Sequence, residues 1–152
     1  YREKGFLLVA GEGDTASYRA HADRLGIKDK VVFLGSVSDP APLCRVAELM
    51  VLPTQYDPFS NAVLEALACG CPVLTSTANG ASEVIDHGRT GLVFDNSQEE
   101  DPSDWAKEFL ETRFDPRESI AKSVAVMTRE AELNRYEELL NEIVHSGEAA
   151  GG

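Results

Sequence analysis

Basic residues are what this chain of 152 residues has in short supply: 14 Lys and Arg stand against 26 Asp and Glu, a formal net charge of −12. Nothing supplies the broad positive field that nucleic acid or an anionic membrane surface would require, so neither is an expected partner. Long apolar runs are missing as well, all falling far below the roughly 20 residues that cross a bilayer. No charged-then-apolar signal segment opens the chain. Only three cysteines occur, Cys44, Cys69 and Cys71. The last two flank Gly70 too closely to pair easily, and all three lie in apolar segments. They read as reduced packing residues of a cytosolic protein. His21, His87 and His145 stand far apart with no His or Cys at ligand spacing, so no metal site is expected. With 7 prolines and 43% hydrophobic residues, the composition suits a single folded domain rather than a disordered segment. The chain begins at Tyr1, almost inside a strand, and so reads as a piece of something longer.

What is present is a rhythm. Gly5–Ala10 is a continuous apolar run, as expected for a strand buried on both faces. A Gly-Glu-Gly-Asp break at residues 11–14 leads into a helix over Thr15–Leu25, stopped by Gly26. Lys30–Leu34 is a second strand. Asp39-Pro40 reads as an N-cap with proline at the first helical position, opening a short helix. Leu49–Leu52 is a third strand closed by Pro53, and Ser60–Cys69 a helix ended by Gly70. Pro72–Ser76 (strand), Ala81–Ile85 (short helix) and Gly91–Phe94 (strand) complete the series. Strand and helix alternate about every twenty residues, the pattern of βα units in a doubly wound parallel α/β sheet. Right-handed crossovers would place helices on both faces.

After Phe94 the pattern changes. Residues 95–104 are polar and turn-rich, and only helices follow. Asp101-Pro102 and Asp115-Pro116 each read as cap plus first-turn proline, with Asp104 and Glu118 at the third helical position. A longer helix is expected over Arg129–Val144, with Leu133, Tyr136, Leu140, Ile143 and Val144 as its apolar stripe, and a frayed tail from Glu148. Residues 95–152 hold 15 acids and 6 bases, against 11 and 8 in residues 1–94, which marks a solvated helical face. The expected division is a core at 1–94 and a helical extension of the same domain at 95–152.

In an open parallel sheet, ligands bind beyond the carboxyl ends of the strands. Three segments stand there: 11–14, 35–39 and 55–61. In the first, Gly11 and Gly13 precede a helix start whose free N–H groups favour a phosphate, although a plain turn fits equally. The third is more informative. Asp57-Pro58-Phe59-Ser60-Asn61 leads into a helix, Ala62-Val63-Leu64-Glu65-Ala66-Leu67-Ala68, that is apolar nearly all round and so expected to be buried on most faces. Glu65 is its only charge, with no Lys or Arg at helical spacing. A desolvated carboxylate there would need donors from a ligand, such as ribose hydroxyls; the alternative is that Glu65 faces solvent. Asp57 is either a turn aspartate or an acceptor for sugar hydroxyls. The N–H groups of Ser60 to Val63 would point at an adjacent phosphate. Two acids around a helix N-terminus suit a ligand with hydroxyls at both ends and phosphates between them, as in a nucleotide-sugar.

The run from Asp57 through Glu65 to Cys69-Gly70-Cys71-Pro72-Val73, followed by Asn79-Gly80-Ala81-Ser82-Glu83 and Gly88-Arg89-Thr90-Gly91, resembles the donor half of the family 4 retaining glycosyltransferases of GT-B fold. Val9 to Asp14 and Val32 to Gly35 fall where that family has its glycine loop and next strand. The Asp57-Pro58-Phe59-Ser60-Asn61 variant is most similar to bacterial lipopolysaccharide-core glucosyltransferases. The resemblance implies a Rossmann-like C-terminal domain that binds UDP-glucose or a related UDP-hexose. It implies transfer with retention to a bacterial surface glycan or lipid-linked sugar, with no metal cofactor. Residue by residue, it implies that Asp57 contacts the transferred sugar and Glu65 holds the ribose. Phe59, Ser60, Asn61, Ala62 and Val63 would offer amides to the sugar and diphosphate, Gly11 and Gly13 would lie near the phosphates, and Val37 near the base. The departures are an Asp for the usual Glu at 57 and a Ser for the common Gly at 60. No match is found for the family's diphosphate-binding Arg and Lys, since Arg2 and Lys4 precede the first strand. The acceptor-binding domain is absent too, so the chain alone is expected not to turn over, and membrane contact is expected only through that domain. The intact enzyme would be cytoplasmic, at most peripheral to the inner membrane. The alternatives are a GT-B-type UDP-sugar epimerase and a non-catalytic nucleotide-binding module.

Overall fold

The computed structural model describes residues 5–95 and 101–127, together with Asn134, Glu137 and Glu138, which are helical and exposed. The expected apolar stripe of the last helix and the expected frayed tail lie outside the described residues. The chain divides into two compact units, Tyr1–Pro40 and Ala41–Gly152.

In the first unit, strand β1 (Leu7–Ala10) pairs in parallel with β2 (Val31–Gly35), Leu7 opposite Val31 and Val9 opposite Phe33, with a register shift at Ala10. A parallel pair needs a crossover, and helix α1 (Ala16–Arg24) supplies it. Asp14 opens that helix, its Oδ1 accepting from the Ala16 N–H at 2.8 Å. Gly26 closes it at φ +68°, donating its N–H to the Asp23 carbonyl. The expectation that β1 is buried on both faces does not hold: Leu7 and Leu8 remain 52% and 42% exposed. The strand's one ladder is to β2, α1 carries mostly polar residues, and among the described residues of this unit only Ala22 is buried.

The second unit is built on a three-stranded parallel sheet in the order β3 (Met50–Leu52), β4 (Val73–Ser76), β5 (Gly91–Phe94). Met50 lies opposite Val73, and Val73 opposite Gly91. Helix α2 (Ala41–Val46) precedes β3, and α3 (Asn61–Ala68) joins β3 to β4. A 3-10 turn at Gly80–Val84 stands where a short helix was expected over Ala81–Ile85. Val63, Ala66 and Leu67 of α3 are fully buried against Cys71, Val73, Ile85, Ile120 and Val124. Burying side chains the size of Val63 and Leu67 stabilises the fold by about 1.5–3 kcal/mol each. Gly70 ends α3 at φ +72°, and a Cβ there would stand 2.6 Å from the Arg117 carbonyl oxygen, so no larger residue fits.

Two more helices follow, α4 (Pro102–Glu111) and α5 (Arg117–Ser123). Asp101 caps α4 as expected, accepting from the Ser103 N–H at 2.8 Å, with Pro102 first in the helix and Asp104 third. Trp105 of α4 stacks on Phe94, ring centroids 3.6 Å apart, beside Leu74 and Leu92. The expected Asp115 cap is corrected. Pro116 is the N-cap of α5, which puts Glu118 second. The reason is tertiary: Arg89 holds the Asp115 carboxylate at 2.9 Å, and the Asp115 N–H bonds the Arg89 carbonyl. The class is α/β, with parallel sheets flanked by helices. The first unit holds a two-stranded sheet and the second a three-stranded one.

Candidate functional site

The loop before α3 is held by its own chemistry and by a partner segment. Asp57 forms an Asx turn, Oδ1 accepting from the Phe59 N–H at 3.1 Å. Its backbone pairs with the segment after β4: the Asp57 N–H bonds the Ala78 carbonyl at 3.1 Å, and the Gly80 N–H bonds the Asp57 carbonyl at 2.9 Å. Asn79 lies between these bonds and is fully buried. Its Oδ1 accepts from the Ser60 N–H at 3.3 Å and the Ala81 N–H at 3.1 Å, while Nδ2 donates to Thr75 Oγ1 at 3.1 Å. Thr75 in turn donates to the Leu52 carbonyl at 2.8 Å. The amide therefore ties the loop to β3 and β4, with every polar group satisfied.

This arrangement changes the inventory of free donors. Ser60 is the buried N-cap of α3, with no side-chain cap bond. The N–H groups of Phe59 and Ser60, expected to face a ligand, are spent on Asp57 and Asn79. Those of Asn61, Ala62 and Val63 take no acceptor among the described residues and remain at the positive end of the helix dipole. Asp57 is half-buried.

Glu65 is exposed, which corrects the expectation of a desolvated carboxylate. Helix α3 is apolar all round only in composition. Its bulky Val63 and Leu67 face the core, while Asn61, Ala62, Glu65 and Ala68 form the exposed stripe, and alanine costs little in water. Among the described residues no cation pairs with Glu65. Its charge is felt by Cys44, whose thiol is pushed up by burial first and then by Cys69 and Glu65. Burial likewise raises Cys71 to about 11, so both are packing thiols. The reading of the three cysteines as unpaired holds.

Gly11, Gly13 and Val37 belong to the first unit. Gly11 and Gly13 adopt φ +142° and +139°, which side-chain-bearing residues rarely reach, and the Gly11 N–H bonds the Gly35 carbonyl at 2.8 Å. Both glycines line an open cavity of about 530 Å³ with Glu12, Thr15, Arg19, Phe33, Leu34, Gly35 and Ser36; half-buried Val37, expected near the base, is not among the lining residues.

Sequence reasoning missed two residues. Arg19 is a cation at the glycine loop: its guanidinium sits 4.5 Å over the Phe33 ring and its Nε donates to Thr15 Oγ1 at 3.1 Å. The two Nη groups take no acceptor among the described residues. Its only sequence signal is a base four residues after Thr15. Asn79 is the other: the motif includes it but assigns it no role, and its signal is an Asn-Gly pair after a buried strand. Among the described residues, no group of three His, Cys, Asp or Glu could hold a metal ion, and no helix is long and apolar enough to cross a membrane.

A family model described as glycosyl transferases group 1 matches residues 2–112. An uncharacterized glycosyltransferase of Methanocaldococcus jannaschii is 38% identical over 94 residues, 60% of this chain and 24% of that protein. The D-inositol 3-phosphate glycosyltransferase of Pseudarthrobacter chlorophenolicus is 33% identical over 122 residues, 78% of this chain and 28% of that protein. The crystal structure of Anabaena HepE in complex with UDP matches at a TM-score of 0.74 and 22% identity, over 91% of this chain and 41% of HepE. That likeness shows the fold. The chain thus spans less than half the length of the proteins it resembles.

Proposed function

The chain belongs to the group 1 glycosyl transferases, with the Rossmann-like α/β fold of GT-B enzymes, and on that premise we propose that it is the donor-binding half of a retaining hexosyltransferase. The donor is a UDP-hexose, with UDP-glucose the first choice, and the acceptor is a hydroxyl of a bacterial surface glycan or lipid-linked sugar. The observation that carries the reading is the frame around the start of α3: a fixed carboxylate at Asp57, free N–H groups on exposed Asn61 and Ala62 with that of buried Val63 behind them, and an exposed carboxylate at Glu65. Each end of this frame accepts hydroxyls, and its middle attracts an anion.

In transfer, the bond from the sugar's anomeric carbon to the diphosphate oxygen breaks, a bond to the acceptor oxygen forms on the same face, and the acceptor's hydroxyl proton passes to the departing diphosphate oxygen. Asp57 orients the sugar through its hydroxyls, and Glu65 accepts from the ribose. The helix N-terminus stabilises the charge gathering on the departing diphosphate. In the first unit, Gly11 and Gly13 are the phosphate candidates and Val37 the base candidate, and Arg19 adds a cation to the glycine-loop cavity. As the resemblance implies, the chemistry is metal-independent and the intact enzyme cytoplasmic. The acceptor is bound by the rest of such an enzyme, which alone could touch a membrane, so the chain by itself binds donor without turning it over.

Protein-observed NMR titration with UDP, ADP, GDP and UDP-glucose tests the reading. UDP and UDP-glucose should give saturable shifts at Asn61–Val63 and Glu65. Glu65→Ala should weaken UDP by about 10- to 100-fold, the worth of hydrogen bonds to a charged group, with the unfolding midpoint unchanged because Glu65 is exposed and pairs with no cation among the described residues. The absence of shifts with every nucleotide up to millimolar concentration would overturn it.

A further inference from the structure

The Asn79-Gly80-Ala81 segment is a motif whose part in donor binding the reading above leaves open. Asn79 is fully buried, far from the free N–H groups of α3 in sequence, and its side-chain amide links the loop that carries Asp57, through Ser60, to Thr75 of β4 and to its own segment at Ala81. Oδ1 holds the Ser60 N–H, one residue past the Phe59 N–H that anchors the Asp57 carboxylate. The backbone on either side of Asn79, at Ala78 and Gly80, grips Asp57 itself. Nδ2 fixes the amide to Thr75, which is fixed to Leu52, so the clamp is referred to two strands of the sheet. A carboxylate on a loop is ordinarily free to swing. Here its turn is held by the backbone at Ala78 and Gly80 and by one bond from the Ser60 N–H to a buried amide nineteen residues further on, the kind of support that holds a recognition group in one geometry.

We infer that Asn79 is a positioning residue for the transferred sugar: it sets the Asp57–Ser60 loop so that the donor's hexose is read, while its nucleotide is read elsewhere on α3. The inference rests on the proposal that Asp57 meets the sugar and Glu65 the ribose. It deepens that proposal by dividing the frame into two parts with different supports. Asn61–Val63 and Glu65 lie on α3 itself and need no help from Asn79. Asp57 does, because the segment from 57 to 60 is irregular and its geometry comes from the 78–81 backbone and the Asn79 amide.

The experiment measures UDP and UDP-glucose affinities side by side for the wild type, Asn79→Ala, Asn79→Asp, Asp57→Ala and the double Asp57→Ala/Asn79→Ala variant. Asn79→Ala should weaken UDP-glucose by about tenfold relative to UDP, the loss of one well-made polar contact, and change UDP itself by less than about twofold. Asn79→Asp keeps both acceptor bonds but sets a carboxylate oxygen against Thr75 Oγ1, whose proton goes to Leu52, so it should recover only part of the discrimination. The double variant should discriminate no worse than Asp57→Ala alone, since the two act as one unit. Should Asn79→Ala fail to fold, the wild type still decides. The Asn79 side-chain amide and Ser60 backbone resonances should shift with UDP-glucose and stay in place with UDP. Equal weakening of both ligands, additive effects in the double variant, or equal shifts with both ligands would overturn the inference. A wild type that binds neither ligand, or an Asp57→Ala variant that discriminates like the wild type, would instead refute the donor-site proposal beneath it.

Discussion

Gly80 offers a sharp test of how tightly the Asp57 loop is packed. A Cβ built there would lie 1.9 Å from the Pro58 carbonyl oxygen and 3.6 Å from the Phe59 Cα. Real Cβ atoms essentially never approach backbone closer than 3.0 Å, so Gly80→Ala must drive the two segments apart by about 1.1 Å. The obstruction is backbone on both sides, and no side chain can rotate away. Overpacking of this kind costs about 1–3 kcal/mol. Stretching the Gly80 N–H to Asp57 carbonyl bond, 2.9 Å in the intact fold, adds about 1 kcal/mol. Against this, alanine restricts the unfolded chain and returns about 0.4–1 kcal/mol. The net expectation is a loss of about 1–3.5 kcal/mol. Urea unfolding followed by circular dichroism measures it, with Gly5→Ala as the control, because a Cβ at Gly5 meets nothing within 4 Å. The same displacement moves Asp57, so UDP-glucose affinity should fall along with stability. A Gly80→Ala protein within about 0.5 kcal/mol of the Gly5→Ala control would refute the close approach.

Leu67→Ala, at a fully buried position facing Ile120 and Val73, should cost about 2–5 kcal/mol through lost transfer energy and a cavity; a loss under 1 kcal/mol in urea unfolding would mean that the α3–α5 interface is loosely packed. Cys71 gives a pH dependence with a definite sign. Its thiol is raised by burial from 9.0 to about 11, so between those values the folded chain keeps a proton that the unfolded chain has released. Stability contributed by the neutral thiol is therefore complete below pH 9 and lost as pH rises toward 11, on the order of 2 kcal/mol. Unfolding at pH 8 and pH 10.5 should show a drop that is smaller in Cys71→Ala, and equal drops in the two proteins would contradict the assignment.

The parts of this molecule that were legible in the sequence are those decided within a few residues. Gly26 and Gly70 end helices because each adopts a left-handed conformation that ordinary residues avoid. Asp101-Pro102 opens a helix because a carboxylate and a pre-set φ serve the same turn. Gly91–Phe94 is a strand as expected, and the acid-to-acid spacing from Asp57 to Glu65 is visible without coordinates. The near-identical signal at Asp115-Pro116 misled, because Arg89, twenty-six residues away, takes the carboxylate that would have capped the helix.

The same division runs through the candidate site. Local chemistry alone dictates that a loop acid precedes a helix with a second acid eight residues on, and that N–H groups stand free between them. Packing decides the rest. Which side of α3 meets water depends on Val63 and Leu67 finding Ile120 and Val73, and that turned Glu65 outward although its helix looked buried in composition. Which N–H groups stay free depends on Asn79 reaching Ser60. Whether a cation accompanies the glycine loop depends on Arg19 lying over Phe33 of a neighbouring strand. Helix caps, turns and strand runs are settled by atoms close together along the chain. Solvent exposure and hydrogen-bond partnership are properties of atoms brought together only by folding.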